Sequence, residues 1–269
     1  MEPDFYILVI LAAISAVSLG VYQNLLRRIH ESSGKVRTAE FDIPDLLVTI
    51  VLVGYFALLI PQGFSQPAPA ETASLKPTDI LLNASVFLIL AIGIAAFLYT
   101  RGVSLKHLLG FDRLPIGRAL LIAFGLVLAA FPVVLAASFL IQNLLHEPAH
   151  EQDLVTLFRD VSRKNNYSLI GTILFTGVIV APLSEEFLFR GYFYGAIKRY
   201  CGAPVSAIFT SALFALVHLN LSSLPSLFVL ALCLTIAYEA TGSLAVPMSM
   251  HALFNLSQLV TLYFRSHAG

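Results

Sequence analysis

Tryptophan is absent from the 269 residues, and charge is scarce: 16 Lys and Arg against 16 Asp and Glu, together 12% of the chain. Soluble domains carry about 25% charged residues, which excludes an ordinary water-soluble globule. The net charge is zero, so the basic footprint of a nucleic-acid binder is missing and no nucleic-acid partner is expected. There are only two cysteines, Cys201 and Cys233, with no CxxC pair, so neither a disulfide framework nor a cysteine metal site is expected. With no tryptophan, the ten tyrosines must supply much of any interfacial aromatic belt. The first residues, Met-Glu-Pro-Asp-Phe, contain no basic region, so Phe5–Leu26 reads as a retained span and not as a signal peptide. No repeat with a period of about 20–50 residues is visible.

What the chain has in abundance is apolar sequence: 58% hydrophobic residues and a mean hydropathy of +0.84. A membrane span takes about 20 mostly apolar residues. Eight stretches qualify: Phe5–Leu26, Asp45–Pro61, Asp79–Thr100, Gly117–Leu145, Ser168–Tyr200, Ala203–Asn220, Ser222–Tyr238 and Val246–Phe264. The fold class expected is therefore an all-α, polytopic transmembrane helix bundle of about eight spans, with the lipid bilayer as its surroundings. Residues 1–167 supply four spans and their loops, and residues 168–269 a second set of four. The fourth span carries Pro132, where a kink is expected. The fifth is too long for one straight crossing, so Pro182 is expected to kink it or its last turns to project into the cytosol. Gln62–Thr78, rich in Pro, Ala and Ser, reads as a flexible loop, and Val103–Phe111 as a short amphipathic segment at the interface. Lys and Arg divide 11 to 5 between the two sides when Arg190 is counted with the richer one. By the positive-inside rule, both termini lie outside and the odd-numbered connections in the cytosol of a bacterial plasma membrane.

Within the fifth run stands Ala181-Pro-Leu-Ser-Glu-Glu-Phe-Leu-Phe-Arg190. Charged side chains at membrane depth cost roughly 2.5–3.5 kcal/mol each on insertion scales and mark functional sites by default. Glu186 and Arg190 are four apart in the favourable order, so they share a helix face and can pair. Glu185 points about 100° away, and its own i+4 neighbour is Phe189. Glu186–Arg190 thus reads as a structural pair and Glu185 as the carboxylate left for chemistry. A single buried ion cluster that only holds helices together is the competing reading.

His218 closes the sixth run. Cys201-Gly-Ala-Pro204 is expected to turn the chain between runs five and six. Glu185 lies 16 residues before Cys201 and His218 lies 17 after it, which places both at one depth of an antiparallel hairpin. His251 and Asn255, four apart in the eighth run, share a face. Both can donate hydrogen bonds, so they could hold an oxyanion or merely join helices. Glu239 reads as a solvated cap. Glu185 lies 14 residues from Arg199, about 21 Å along the helix, inside the membrane and expected to be reached from the cytosolic side.

These residues form a pattern. Glu185-Glu186-x-x-x-Arg190, then Phe214-x-x-x-His218, then His251-x-x-x-Asn255, on apolar helices and in this order, resembles the CAAX protease and bacteriocin-processing (CPBP, or Abi) family. The resemblance covers about Ser168–Phe264. It implies an all-helical intramembrane endopeptidase that cuts peptide or protein substrates, in some members near a prenylated C-terminus. It is consistent with Glu185 as general base, His218 orienting or activating its water, and His251 and Asn255 holding the oxyanion. Glu186, Arg190 and Phe214 would support the site. No cofactor is favoured. A zinc-dependent version would use Glu185, His218 and His251, and a non-catalytic immunity or scaffold protein of the same fold also remains open. A transporter would show paired internal repeats, and none is found.

Overall fold

Backbone in hydrocarbon must satisfy its own N–H and C=O groups, and a helix does so locally. The structure, a computed structural model, describes residues 3–65, 77–145 and 153–267; among them every regular element is helical. In chain order these are α1 (Pro3–Ser32), α2 (Ile43–Ser65), α3 (Pro77–Thr100), α4 (Leu105–Leu108), α5 (Ile116–Leu145) and α6 (Asp153–Arg163). Next come α7 (Tyr167–Phe175), α8 (Ala181–Glu186) and α9 (Gly195–Cys201), joined by π-helical turns at Thr176–Val180 and Phe187–Tyr194. α10 (Ala203–Leu216), α11 (Leu224–Thr241) and α12 (Ala245–His267) complete the chain. Five stretches are long and apolar enough to cross a membrane: Ile43–Gln62, Ile80–Thr100, Ile116–Ile141, Tyr167–Cys201 and Leu224–Thr241. The chain is an all-α integral membrane protein. The other three expected spans are also helical, but α10 has only 14 residues, and α1 and α12 are not among the five.

Several local expectations change. α2 runs through Pro61 to Ser65 instead of stopping at the proline. Most of the loop expected after it, residues 66–76, lies outside the described residues. Pro132 sits inside α5, and its carbonyl accepts from Ser15 Oγ of α1 at 3.2 Å. Val103–Phe111 is amphipathic as expected and packs its apolar side against the bundle. Its Leu108 and Leu109 are buried in the core, and Leu109 O accepts from Leu244 N–H at 2.9 Å. The two side chains gain more by entering the apolar core than by lying on its surface.

One end of the bundle is a lattice of ion pairs. It gathers the α1–α2, α3–α5 and α11–α12 connections and the α9–α10 turn. Arg37 pairs with Asp112 at 3.0 Å. Arg101 pairs with Asp42 at 3.0 Å and with the buried Asp45, and Tyr192 Oη donates to Asp45 Oδ1 at 3.4 Å. Glu239 is buried, not a solvated cap. It pairs with Lys198, and it accepts from Tyr194 Oη at 2.5 Å and from the backbone N–H groups of Lys35 and Val36 at 3.1 and 3.4 Å. A carboxylate can be buried when this many donors replace its water. Gly34 is required beside it: its φ is +74°, and a Cβ there would lie 2.1 Å from Glu239 Oε2.

Above this lattice an aromatic core ties the composite helix to α2, α3 and α10. Phe56 stacks on Phe87 and Phe189 at 6.0 and 6.5 Å, and Phe189 meets Phe193 and Phe214 edge-on at 5.7 and 5.2 Å. Such geometries each contribute about 0.5–1.5 kcal/mol beyond area burial. This packing sets the rotation of the helix that carries Glu185 and Glu186. α3 and α12 then pack against α8.

Candidate active site

Glu185 and Glu186 sit on α8, between the two π-helical turns. π-helical insertions are often found at functional sites, and here the sequence explains the first one. Ala181 N–H donates to Thr176 O, five residues back. In that register the next donor, to Gly177 O, would be residue 182, which is a proline without an N–H. Gly177 O is instead satisfied from another helix, by the Asn255 side-chain amide at 2.8 Å. Pro182 therefore does not simply kink the fifth run. It leaves open the carbonyl that docks α12. Gly177 was missed in the sequence; the available signal was a proline five residues beyond it.

The two glutamates occupy different surroundings. Glu186 is fully buried and pairs with the buried Arg190 at 2.8 Å. The same oxygen, Oε1, accepts from His251 Nδ1 at 2.9 Å. Arg190 also donates to Ala231 O at 3.2 Å, and its guanidinium lies 4.5 Å from the centre of the Phe214 ring. Glu185 stands outside this pair. Its side chain keeps 13% of its exposure, and its Oε2 lies 3.9 Å from His251 Nε2.

His218 follows the last turn of α10. Its Nδ1 is 2.7 Å from Phe214 O. A carbonyl only accepts, so Nδ1 carries the hydrogen, and in the neutral ring Nε2 is left as an acceptor. The ring lies 4.8 Å from Phe214 and within electrostatic reach of Glu185, Arg190 and His251. Phe214 is the hub of the cluster, since His251 meets the same ring edge-on at 5.7 Å. Glu185, Glu186, Arg190, Phe214, His218 and His251 thus come together from three parts of the chain. Asn255 faces Gly177, and one of its two amide hydrogens is engaged there.

His251 is held the same way. Ionised Glu186 only accepts, so His251 Nδ1 donates and Nε2 is the atom turned to Glu185. To donate to an oxyanion, Nε2 must also carry a proton, which makes the ring an imidazolium between two carboxylates. A zinc ion is less well served. Histidines whose Nδ1–H is anchored in this way suit metal ligation through Nε2. Yet among the described residues no group of three or more His, Cys, Asp or Glu side chains is placed to hold an ion.

Comparison with known proteins supports the resemblance over part of the chain. Residues 167–257 match the family model described as Rce1-like, type II CAAX prenyl endopeptidase Rce1-like. This is the stretch that carries the three motifs, and over it the resemblance to CAAX-type proteases holds. Among curated proteins, the chain is 36% identical to an uncharacterized 24.3 kDa protein of Escherichia coli over 130 residues, 46% of this chain and 58% of that protein. It is 34% identical to the membrane-embedded CAAX protease MroQ of Staphylococcus aureus (strain USA300) over 92 residues, 32% of this chain and 37% of MroQ. It is 38% identical to the UPF0177 protein YxdF of Lactococcus lactis subsp. lactis (strain IL1403) over 80 residues, 29% of this chain and 43% of that protein. The matches thus span less than two thirds of each relative's length. No solved structure matches the chain.

Proposed function

We propose that the chain is an intramembrane endopeptidase that hydrolyses peptide bonds of membrane-associated peptides or proteins, lipidated ones included. The observation that carries the reading is the division of labour between adjacent carboxylates. Glu186 is committed to Arg190 and His251, while Glu185, one residue away, is outside the pair and faces the Nε2 of His251. Neighbouring titratable groups in contrasting environments are the usual arrangement of acid–base catalysis.

In this reading Glu185 takes a proton from water as the water oxygen bonds to the scissile carbonyl carbon. His218, through its free Nε2, accepts a hydrogen bond from the same water and fixes its orientation. The carbonyl oxygen becomes an oxyanion, held by His251 Nε2–H and the second amide hydrogen of Asn255, donors worth roughly 2.7–4 kcal/mol each where measured. Collapse breaks the C–N bond, and the proton on Glu185 passes to the leaving amine. Glu186 orients His251 as the aspartate orients histidine in a serine-protease triad. Zinc would supply Lewis-acid activation of the water, but the described donor set does not fit an ion, and no step runs through one. The basic end of the bundle faces the cytosol of a bacterial plasma membrane by the positive-inside rule.

The test is cleavage of a membrane-peptide library by the purified, reconstituted protein, with and without a chelator. Cleavage that survives the chelator supports the glutamate mechanism. Cleavage lost with the chelator and restored by zinc overturns it, and no cleavage in either condition contradicts the peptidase reading.

A further inference from the structure

Away from the site cluster, the basic end of the bundle holds a cavity of about 320 Å³ between α1, α5 and α11. The spans it touches set its depth. Ala240 and Thr241, which line it, are the last two residues of the membrane-spanning stretch Leu224–Thr241. Ile122 of α5 also lines it, six residues past the start of the stretch Ile116–Ile141, or about 9 Å along the helix. The cavity therefore sits where two spans end, at the edge of the hydrocarbon.

Its walls are of two kinds. Leu25 and Ile29 of α1, with Ile122 and Leu126 of α5, form an apolar slot. Arg28, near the end of α1, and Lys35, in the connection to α2, supply two cations. Among the described residues no carboxylate lines the cavity, and neither Arg28 nor Lys35 forms an ion pair. The hydroxyls at its edge donate within their own helices, Ser32 to Arg28 O at 2.8 Å and Thr241 to Ala237 O at 2.7 Å. The cations are therefore its free donors. Lys35 is held in place by its backbone, whose N–H donates to Glu239 O at 3.0 Å and to Glu239 Oε2 at 3.1 Å. The carboxylate of Glu239 is itself engaged by Lys198 and Tyr194, so it does not neutralise the Lys35 ammonium. Gly242, at φ +68°, allows the close approach: a Cβ there would lie 2.9 Å from Lys35 Cβ and 2.8 Å from Arg113 Nη1. A third cation thus stands at the same corner. Unpaired cations beside an apolar slot suit an anion with an apolar tail.

Independently of the peptidase reading, we propose that this cavity is a binding site for an anionic phospholipid. Arg28 and Lys35 take its phosphate through charge-assisted hydrogen bonds, and one acyl chain lies in the slot along Leu25, Ile29, Ile122 and Leu126. Basic pockets between membrane helices bind such head groups. The occupant is a lipid and not a free phosphate because the slot continues into lipid-facing surface: Leu26 and Leu121, next in sequence to its walls, are 48% and 72% exposed. A lipid bound there ties α1 to α5 and α11.

The test is lipid binding to the purified full chain in detergent, read by native mass spectrometry. Phosphatidylglycerol is the probe, phosphatidylcholine the neutral comparison and inorganic phosphate the competitor. The parent should bind phosphatidylglycerol at least about tenfold more tightly than phosphatidylcholine, and Arg28→Gln with Lys35→Gln should abolish that preference. Both cations are exposed, so the double variant should keep the parent's circular dichroism spectrum. Arg27→Gln, which removes a neighbouring charge that does not line the cavity, should leave the preference intact. Ile122→Trp fills the slot, keeps both cations, and should weaken phosphatidylglycerol binding. Equal affinity of the parent for the two lipids, or a preference that survives in the double variant, overturns the site. Displacement of the lipid by inorganic phosphate, or binding indifferent to Ile122→Trp, overturns the lipid as occupant. None of these readouts requires cleavage, so failure of the lipid site and failure of the peptidase reading are told apart.

Discussion

The side-chain amide of Asn255 donates to the backbone carbonyl of Gly177 at 2.8 Å, a bond between α12 and the first π-helical turn. It exists because Pro182 cannot supply the N–H that the π register would otherwise aim at that carbonyl. A residue proposed to hold the oxyanion is thus positioned by a proline on another helix.

Pro182→Ala restores a competing N–H. The expected result is a fall in kcat of up to about 100-fold, with little change in KM and a normal far-UV circular dichroism spectrum. A kcat equal to that of the parent would separate the proline from the positioning of Asn255.

Glu186→Gln removes the charge from a carboxylate shared by Arg190 and His251. Breaking a buried pair by removing one partner typically costs about 3–5 kcal/mol, so the midpoint of thermal unfolding in detergent should drop along with activity. An unfolding midpoint within a degree of the parent would mean that Arg190 finds another partner.

Glu239→Gln should weaken the basic end without touching the site. The substitution takes the charge from a buried carboxylate that pairs with the half-buried Lys198 and accepts from Tyr194 Oη, and a loss of stability of about 3 kcal/mol is expected. The kcat of the folded fraction should be unchanged, because Glu239 belongs to the basic-end lattice below the aromatic layer and not to the site cluster. A selective fall in kcat would tie this lattice to catalysis.

The helices and the site residues were legible for different reasons. Apolar runs become helices because lipid offers the backbone no partner, so run length alone found α2, α3, α5 and α11. The Glu186–Arg190 pair followed from i,i+4 geometry, and the α9–α10 turn from Gly202, which adopts φ +79°, with Pro204 in the first turn of α10. The bond from His251 to Glu186 was not legible, because it depends on how α12 rotates against α8. Glu239 misled because its partners, Lys35, Val36, Tyr194 and Lys198, are far away in sequence, and a carboxylate near a helix end usually meets water. The α10–α11 turn was hidden too. Run counting merged His218 and the residues after it into the sixth span, whereas the helix ends at Leu216.

The assignment of Glu185 is the centre of the account, and its most direct measurement is kcat of Glu185→Gln on a reconstituted substrate peptide. Glutamine keeps the shape of the side chain and cannot take the proton. General-base catalysis typically contributes about 10²–10⁴-fold, so kcat should fall by at least about 100-fold while thermal stability stays close to that of the parent, since Glu185 lies outside the buried Glu186–Arg190 pair. A Glu185→Gln protein that turns over at near the parental rate would contradict the account.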